Sequence, residues 1–227
     1  MAYLIVGFML GLTIPFIARR LGKILPATMG EIILQLIHLP KVPQTHNPLQ
    51  YNLLKRKWIV LWCYALGMGC LTAGLFWAAK TYLPNAAHIF AYIFIWASLC
   101  AAETDRRHYL LPDCLTLPLL LVGFLFAVRT NILTPIQSLY GAFFAYLLTT
   151  LAVFILNLKK QIIFGAGDTK MAIALGSWLG IQGLNYTIFL SFFLFLMSSL
   201  IKQKNTGAYG PALGLAGLIT FFIQYLK

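Results

Sequence analysis

The sequence predicts an all-α protein: a polytopic membrane bundle of about eight transmembrane helices with its N-terminus outside. Three observations carry that prediction. Of 227 residues, 60% are hydrophobic and 10% charged, with a mean hydropathy of +0.83; a soluble domain is nearer half apolar and a quarter charged. The apolar runs are far longer than a barrel strand, which leaves helices as the spanning structure. The net charge of +12 falls largely in short segments between those runs, where basic residues set topology. No basic-aromatic surface segment accompanies it, so the bilayer is the expected partner and nucleic acid is not.

The first apolar run, 2–18, lacks a basic flank before it and is followed by Arg19 and Arg20. That is the reverse of a signal peptide and reads as a retained helix, kinked in its last turn at Pro15. The connection 19–57 carries seven Lys or Arg. Within it, 31–39 is apolar but too short to span, and is expected to lie in the interface or on the bundle. Pro40, Pro43 and Pro48 then mark irregular chain. The second span is 58–79, with Trp58, Trp62 and Trp77 as interface anchors. The third is 86–102, the fourth 114–128 and the fifth 136–157. A short sixth helix, 169–181, precedes a seventh at 184–201 and an eighth at 210–226. Residues 1–85 read as an N-terminal unit with its basic loop, and 86–227 as the core membrane domain.

Charge tests this layout. With Met1 outside, the cytoplasmic segments 19–57, 103–113, 158–170 and 202–209 hold fourteen of the seventeen Lys and Arg. That asymmetry fits the positive-inside rule. It also places all five carboxylates, Glu31, Glu103, Asp105, Asp113 and Asp168, on one membrane face. The cysteines Cys63, Cys70, Cys100 and Cys114 form no CxxC pair and lie in or beside apolar runs, where a free cysteine is a small hydrophobe. His38 and His46 share the basic loop without the further ligands a metal needs. No metal site is expected.

Two stretches concentrate chemistry. FGAGDTK, at 164–170, sets Asp168 behind Gly165 and Gly167 and ahead of Lys170. Taken alone, it also admits the plainer reading of a helix start with Asp168 as cap. ETDRRHYLLPD, at 103–113, offers Asp105 just past the third span and Asp113 at an N-cap position before the fourth. Ionisable groups at a membrane helix end are functional candidates. Two aspartates brought together can hydrolyse a peptide, one carboxylate acting as base toward water and one carboxylic acid acting on the scissile carbonyl. Like charges held close cannot both ionise, so such a pair retains a proton. On chemistry alone, Asp105 and Asp113 both stay open as the partner of Asp168.

The pattern D-x-x-x-x-x-L-P-D at Asp105–Asp113, with G-x-G-D-x-K at Gly165–Lys170 and Tyr209-Gly210-Pro211 opening the last helix, resembles the type IV prepilin peptidase family of membrane aspartic proteases. The resemblance runs from about residue 86 to the end. It implies that Asp105 and Asp168 are the catalytic pair, that Gly165 and Gly167 shape the backbone beside Asp168, that Lys170 positions or tunes the pair, and that Asp113 is structural. It further implies cleavage of the basic leader from prepilins or pseudopilins at the cytoplasmic face of a bacterial inner membrane, with no cofactor for proteolysis. Many members also N-methylate the new N-terminus with S-adenosylmethionine. This chain departs from them in three places. The loop 19–57 holds no cysteine where bifunctional members carry two CxxC pairs for zinc. The segment 11–26 follows the usual first-helix pattern only loosely. Arg107 stands at a position often acidic. Methyl transfer is therefore the less secured expectation.

Two other readings use the same residues. A presenilin-like intramembrane protease also has GxGD, but pairs it with Tyr-Asp, whereas Thr104 precedes Asp105 here. An ion-coupled transporter would use Asp105 and Asp168 as relay carboxylates, but near mid-bilayer and within inverted repeats, which this sequence lacks.

Overall fold

The computed structural model describes residues 1–24, 48–158, 165–202 and 207–225. Among them are α1 (Ala2–Ile24), α2 (Pro48–Tyr82), a 3-10 turn (Asn85–Ala87), α3 (His88–His108), α4 (Asp113–Thr130), α5 (Pro135–Leu158), α6 (Ala166–Lys202) and α7 (Gly210–Tyr225). Six of the helices are long and apolar enough to cross a membrane, and α7 is a shorter apolar helix. The protein is a multi-pass helical membrane protein. The expected interfacial segment 31–39, with His38, and His46 lie outside the described residues.

The apolar runs become helices because a chain in lipid must satisfy its backbone hydrogen bonds internally. Most of the outer surface is apolar, with Phe189, Phe192 and Leu151 among many exposed side chains. Trp58, Trp62 and Trp77 are each about half exposed on α2, as interface anchors require. The helix α1 runs on through Pro15 to Ile24, beyond the expected end at 18.

α6 is two passes joined without a loop. Gly180 has φ 63° and ψ −173°, a combination open in practice to glycine. The chain folds back there. Ser191, eleven residues on, reaches the hydroxyl of Tyr209, whose phenol in turn feels the charge of Asp168 on the first turn. Ala172 and Ile188, from the two legs, line one groove. The legs are 166–179 and 181–202, so the described residues form eight helical legs in all. The expected break at 182–183 is corrected to 180. Gly183 serves packing instead, since a Cβ there would fall 2.2 Å from Gln224 Oε1.

Helices in lipid associate through close packing rather than by escaping water, and this bundle uses small residues for it. A Cβ on Gly141 would lie 2.2 Å from the Gly176 carbonyl oxygen, so α5 and the first leg of α6 touch backbone to backbone. Between α3, α4, α6 and α7 sits an aromatic core in which Phe94, Phe126, Trp178 and Phe221 are all fully buried. Trp178 lies 4.7 Å from Phe94 and 5.1 Å from Phe126, centroid to centroid. Its indole N–H donates to the Leu119 carbonyl at 2.8 Å, and its own carbonyl accepts from the Tyr225 hydroxyl at 2.7 Å. These contacts tie α3, α4, α6 and α7 together at the end of the bundle away from Asp105 and Asp168.

Candidate active site

Asp105 is on a helix, not past one. The sequence ends the third span at 102, but α3 continues to His108. The extra turns persist because Glu103 is neutralised where it enters the protein. It is 3% exposed and accepts from Tyr64 Oη at 2.8 Å, from Arg106 Nε at 2.7 Å and Nη2 at 2.9 Å, and from Arg107 Nε. Spacings of three and four residues put both arginines on Glu103's own face. The helix ends at Tyr109, whose left-handed backbone (φ 54°) aims its N–H at the Asp105 carbonyl, 2.8 Å away. Pro112 follows and prevents continuation.

Asp105 is therefore held on the last turns of α3, 6% exposed. Its Oδ2 accepts the backbone N–H of Gly210 at 2.8 Å, the first residue of α7. Asp168 is half-buried on the first turn of α6, and its Oδ2 accepts the N–H of Gly165 at 3.3 Å. That is the reach-back half of a capping box, in which a side chain on the first turn returns to the N-cap amide. Asp168 thus caps from inside the helix, with Gly165 in the N-cap place. The Asp105 and Asp168 carboxylates are close enough to feel each other's charge. Beside them stands Tyr209. Burial pushes its phenol above the ordinary value; its hydrogen bond with Ser191 opposes that and the charge of Asp168 adds to it.

The two sequence motifs are stitched to each other. Lys170 Nζ donates to both carboxylate oxygens of Asp113, at 2.7 Å each. Gly167 lies against Leu111, where a Cβ would come within 2.8 Å of the leucine Cβ. The expected N-cap role of Asp113 is corrected: Pro112 occupies that place and makes no side-chain cap, and Asp113 is on the first turn with its carboxylate engaged by Lys170. Of the residues singled out from sequence, Asp105 and Asp168 come within range of each other's charge, Gly165 holds Asp168, and Gly167 and Lys170 meet the L-P-D segment. Glu103 enters the sequence reading only as one of five carboxylates and Gly210 only within Tyr209-Gly210-Pro211, neither with a role. The i, i+3 and i, i+4 arginines mark Glu103 once the helix is known to continue. No local signal marks the contact of Gly210 with a residue 105 positions away.

Among the described residues, no group of three or more His, Cys, Asp or Glu is gathered as for a metal ion. An apolar groove of about 400 Å³ opens beside Tyr209, between α5, both legs of α6 and α7. Its lining is apolar except for Thr149, Asn185 and Tyr209. It offers no carboxylate to a ribose, so this groove does not suit S-adenosylmethionine.

Fold and site together define a polytopic helical membrane protein that pairs two aspartates at the ends of separate helices. Residues 92–200, just under half of the chain, match the model of the type IV leader peptidase family, and that match supports placing the chain in the family. It is 31% identical over 180 residues to the prepilin leader peptidase/N-methyltransferase of Dickeya chrysanthemi, covering 74% of this chain and 62% of that protein. It is 37% identical over 130 residues to the protein of the same description from Neisseria gonorrhoeae (55% and 44%). It is 34% identical over 149 residues to that from Aeromonas hydrophila (62% and 51%). The chain thus spans about half to three fifths of the length of these curated relatives. No solved structure matches it.

Proposed function

We propose that this protein is an aspartic endopeptidase of the bacterial inner membrane that removes the basic leader peptide from type IV prepilins or pseudopilins at the cytoplasmic face. The observation that carries the proposal is that Asp105 and Asp168, from motifs more than sixty residues apart, stand at helix ends within range of each other's charge. In this reading one carboxylate takes a proton from water as the water attacks the scissile carbonyl. The other, protonated, donates to the carbonyl oxygen, and the proton then passes to the leaving amine. Partial exclusion from bulk water strengthens both interactions. The positive-inside charge pattern supports the cytoplasmic placement, and the groove beside Tyr209 offers an apolar substrate segment a path to the pair. Transport is less well supported. Asp105 lies three residues from the end of α3, and Asp168 on the first turn of α6, so neither is at mid-bilayer.

Cleavage in this reading requires no cofactor. Methyl transfer to the new amine would draw on S-adenosylmethionine bound elsewhere than the described groove. The test is mass spectrometry of the mature pilin N-terminus from cells with this protein as their sole enzyme of the kind. A shortened pilin supports the peptidase and full-length prepilin refutes it, while an added methyl group on the shortened chain reports the second activity.

A further inference from the structure

We infer that the Tyr209–Gly210 corner is a positioning strap that sets the two carboxylates against each other, with Ser191 as its anchor. The inference rests on the peptidase reading and adds residues to it. The two aspartates stand on different helices, α3 and α6; the corner that opens α7 touches Asp105 directly and lies within range of the Asp168 charge. Gly210 donates its buried backbone N–H to Asp105 Oδ2 at 2.8 Å. Only glycine permits that approach. A Cβ on residue 210 would lie 2.6 Å from the same Oδ2 and 2.8 Å from the Asp105 Cβ. An amide at a helix N-terminus is also where an anion is best received.

Tyr209, the residue before Gly210, packs against the returning leg of α6, and its phenol is within range of the Asp168 charge. Its hydroxyl is 2.5 Å from Ser191 Oγ on the returning leg of α6, and its ring stands edge-on to Phe195 with centroids 5.5 Å apart. The corner is itself fixed as the first turn of α7, because the N–H of Leu213 donates to the Tyr209 carbonyl at 3.0 Å. Pro211 suits the place, since amides in a helix's first turn have no partner within the helix. The Gly180 reversal is what brings Ser191 and Phe195 back to this level. The strap therefore links the geometry of the pair to the hairpin of α6. Tyr209, Gly210 and Ser191 are positioning residues; the reacting groups remain Asp105 and Asp168.

The experiment is steady-state cleavage of a purified prepilin by the full-length enzyme in lipid nanodiscs, with kcat and KM read separately. Gly210→Ala displaces the Asp105 carboxylate, and an ångström of misplacement predicts a kcat lower by about 100-fold with KM little changed. Tyr209→Phe keeps the ring against Phe195 and removes one hydrogen bond, predicting a kcat lower by about tenfold at unchanged KM. Gly214→Ala is the packing control, one turn along α7, where a Cβ meets Ala102 Cβ at 3.2 Å; it keeps near-normal kcat. Wild-type kcat in Gly210→Ala, or a fall in Gly214→Ala as large as in Gly210→Ala, overturns the strap. If Gly210→Ala does not accumulate, Tyr209→Phe decides, and an unchanged kcat there overturns it. Asp105→Asn and Asp168→Asn run alongside. Full activity in either removes the peptidase reading itself, whereas inactivity in both with an active Gly210→Ala removes only the strap.

Discussion

Gly167→Ala sets geometry against helix propensity, so the two effects separate in measurement. Gly167 is inside the first turn of α6 with ordinary helical φ, where alanine is favoured over glycine by about 1 kcal/mol. Yet the added Cβ would stand 2.8 Å from Leu111 Cβ and 3.4 Å from the Leu111 carbonyl oxygen. Carbon atoms pack at about 3.5–4.0 Å, so the start of α6 must withdraw from the L-P-D segment by about 1 Å. Asp168 is the next residue and moves with it. A shift of that size in a reacting group costs about 100-fold in rate, or about 2.7 kcal/mol of barrier. The assay is cleavage of purified prepilin in nanodiscs, followed by gel and mass spectrometry, beside a thermal melt of the same sample. The expected pair of results is a melting temperature at or near wild type and a kcat down by about two orders of magnitude. Wild-type kcat would refute the view that contact between the two motifs positions Asp168.

Other predictions bear on other parts of the structure. Lys170→Met and Asp113→Asn should each lower kcat with little loss of stability, since exposed ion pairs contribute about 0–1 kcal/mol; in a double-mutant cycle the two losses should not add, and additive losses would show that the pair does not act as one clamp. Gly180→Ala should destabilise the protein by about 1–3 kcal/mol, because its backbone angles are closed to side chains; an unchanged melt would mean that the hairpin corner is elsewhere. A reporter fused after Leu158 should read as cytoplasmic and one after Arg129 as external, and the inverse would put the carboxylates on the wrong face for a prepilin leader.

The helices were legible because lipid imposes long apolar runs. Three details were not. The end of α3 was hidden because Glu103, Arg106 and Arg107 look like loop charges until their mutual pairing on one helical face is counted. The reversal in α6 was displaced by three residues because Gly180 and Gly183 are equal candidates in sequence, and only packing assigns the turn to one and the contact with Gln224 to the other. Asp113 resembled an N-cap by its place after Pro112, and the long-range reach of Lys170 decides its partner instead. The pairing of Asp105 with Asp168 rested on resemblance. Asp105 and Gly210 belong to two stretches that share one family resemblance, but nothing in either stretch states that they touch, so only the folded chain displays the contact.

The most direct test of the account is cleavage of a co-expressed prepilin by Asp105→Asn and Asp168→Asn, each quantified in the membrane fraction. The account predicts that both variants accumulate at wild-type levels and leave the prepilin full-length. Mature pilin produced by either variant at a near-normal rate would contradict it.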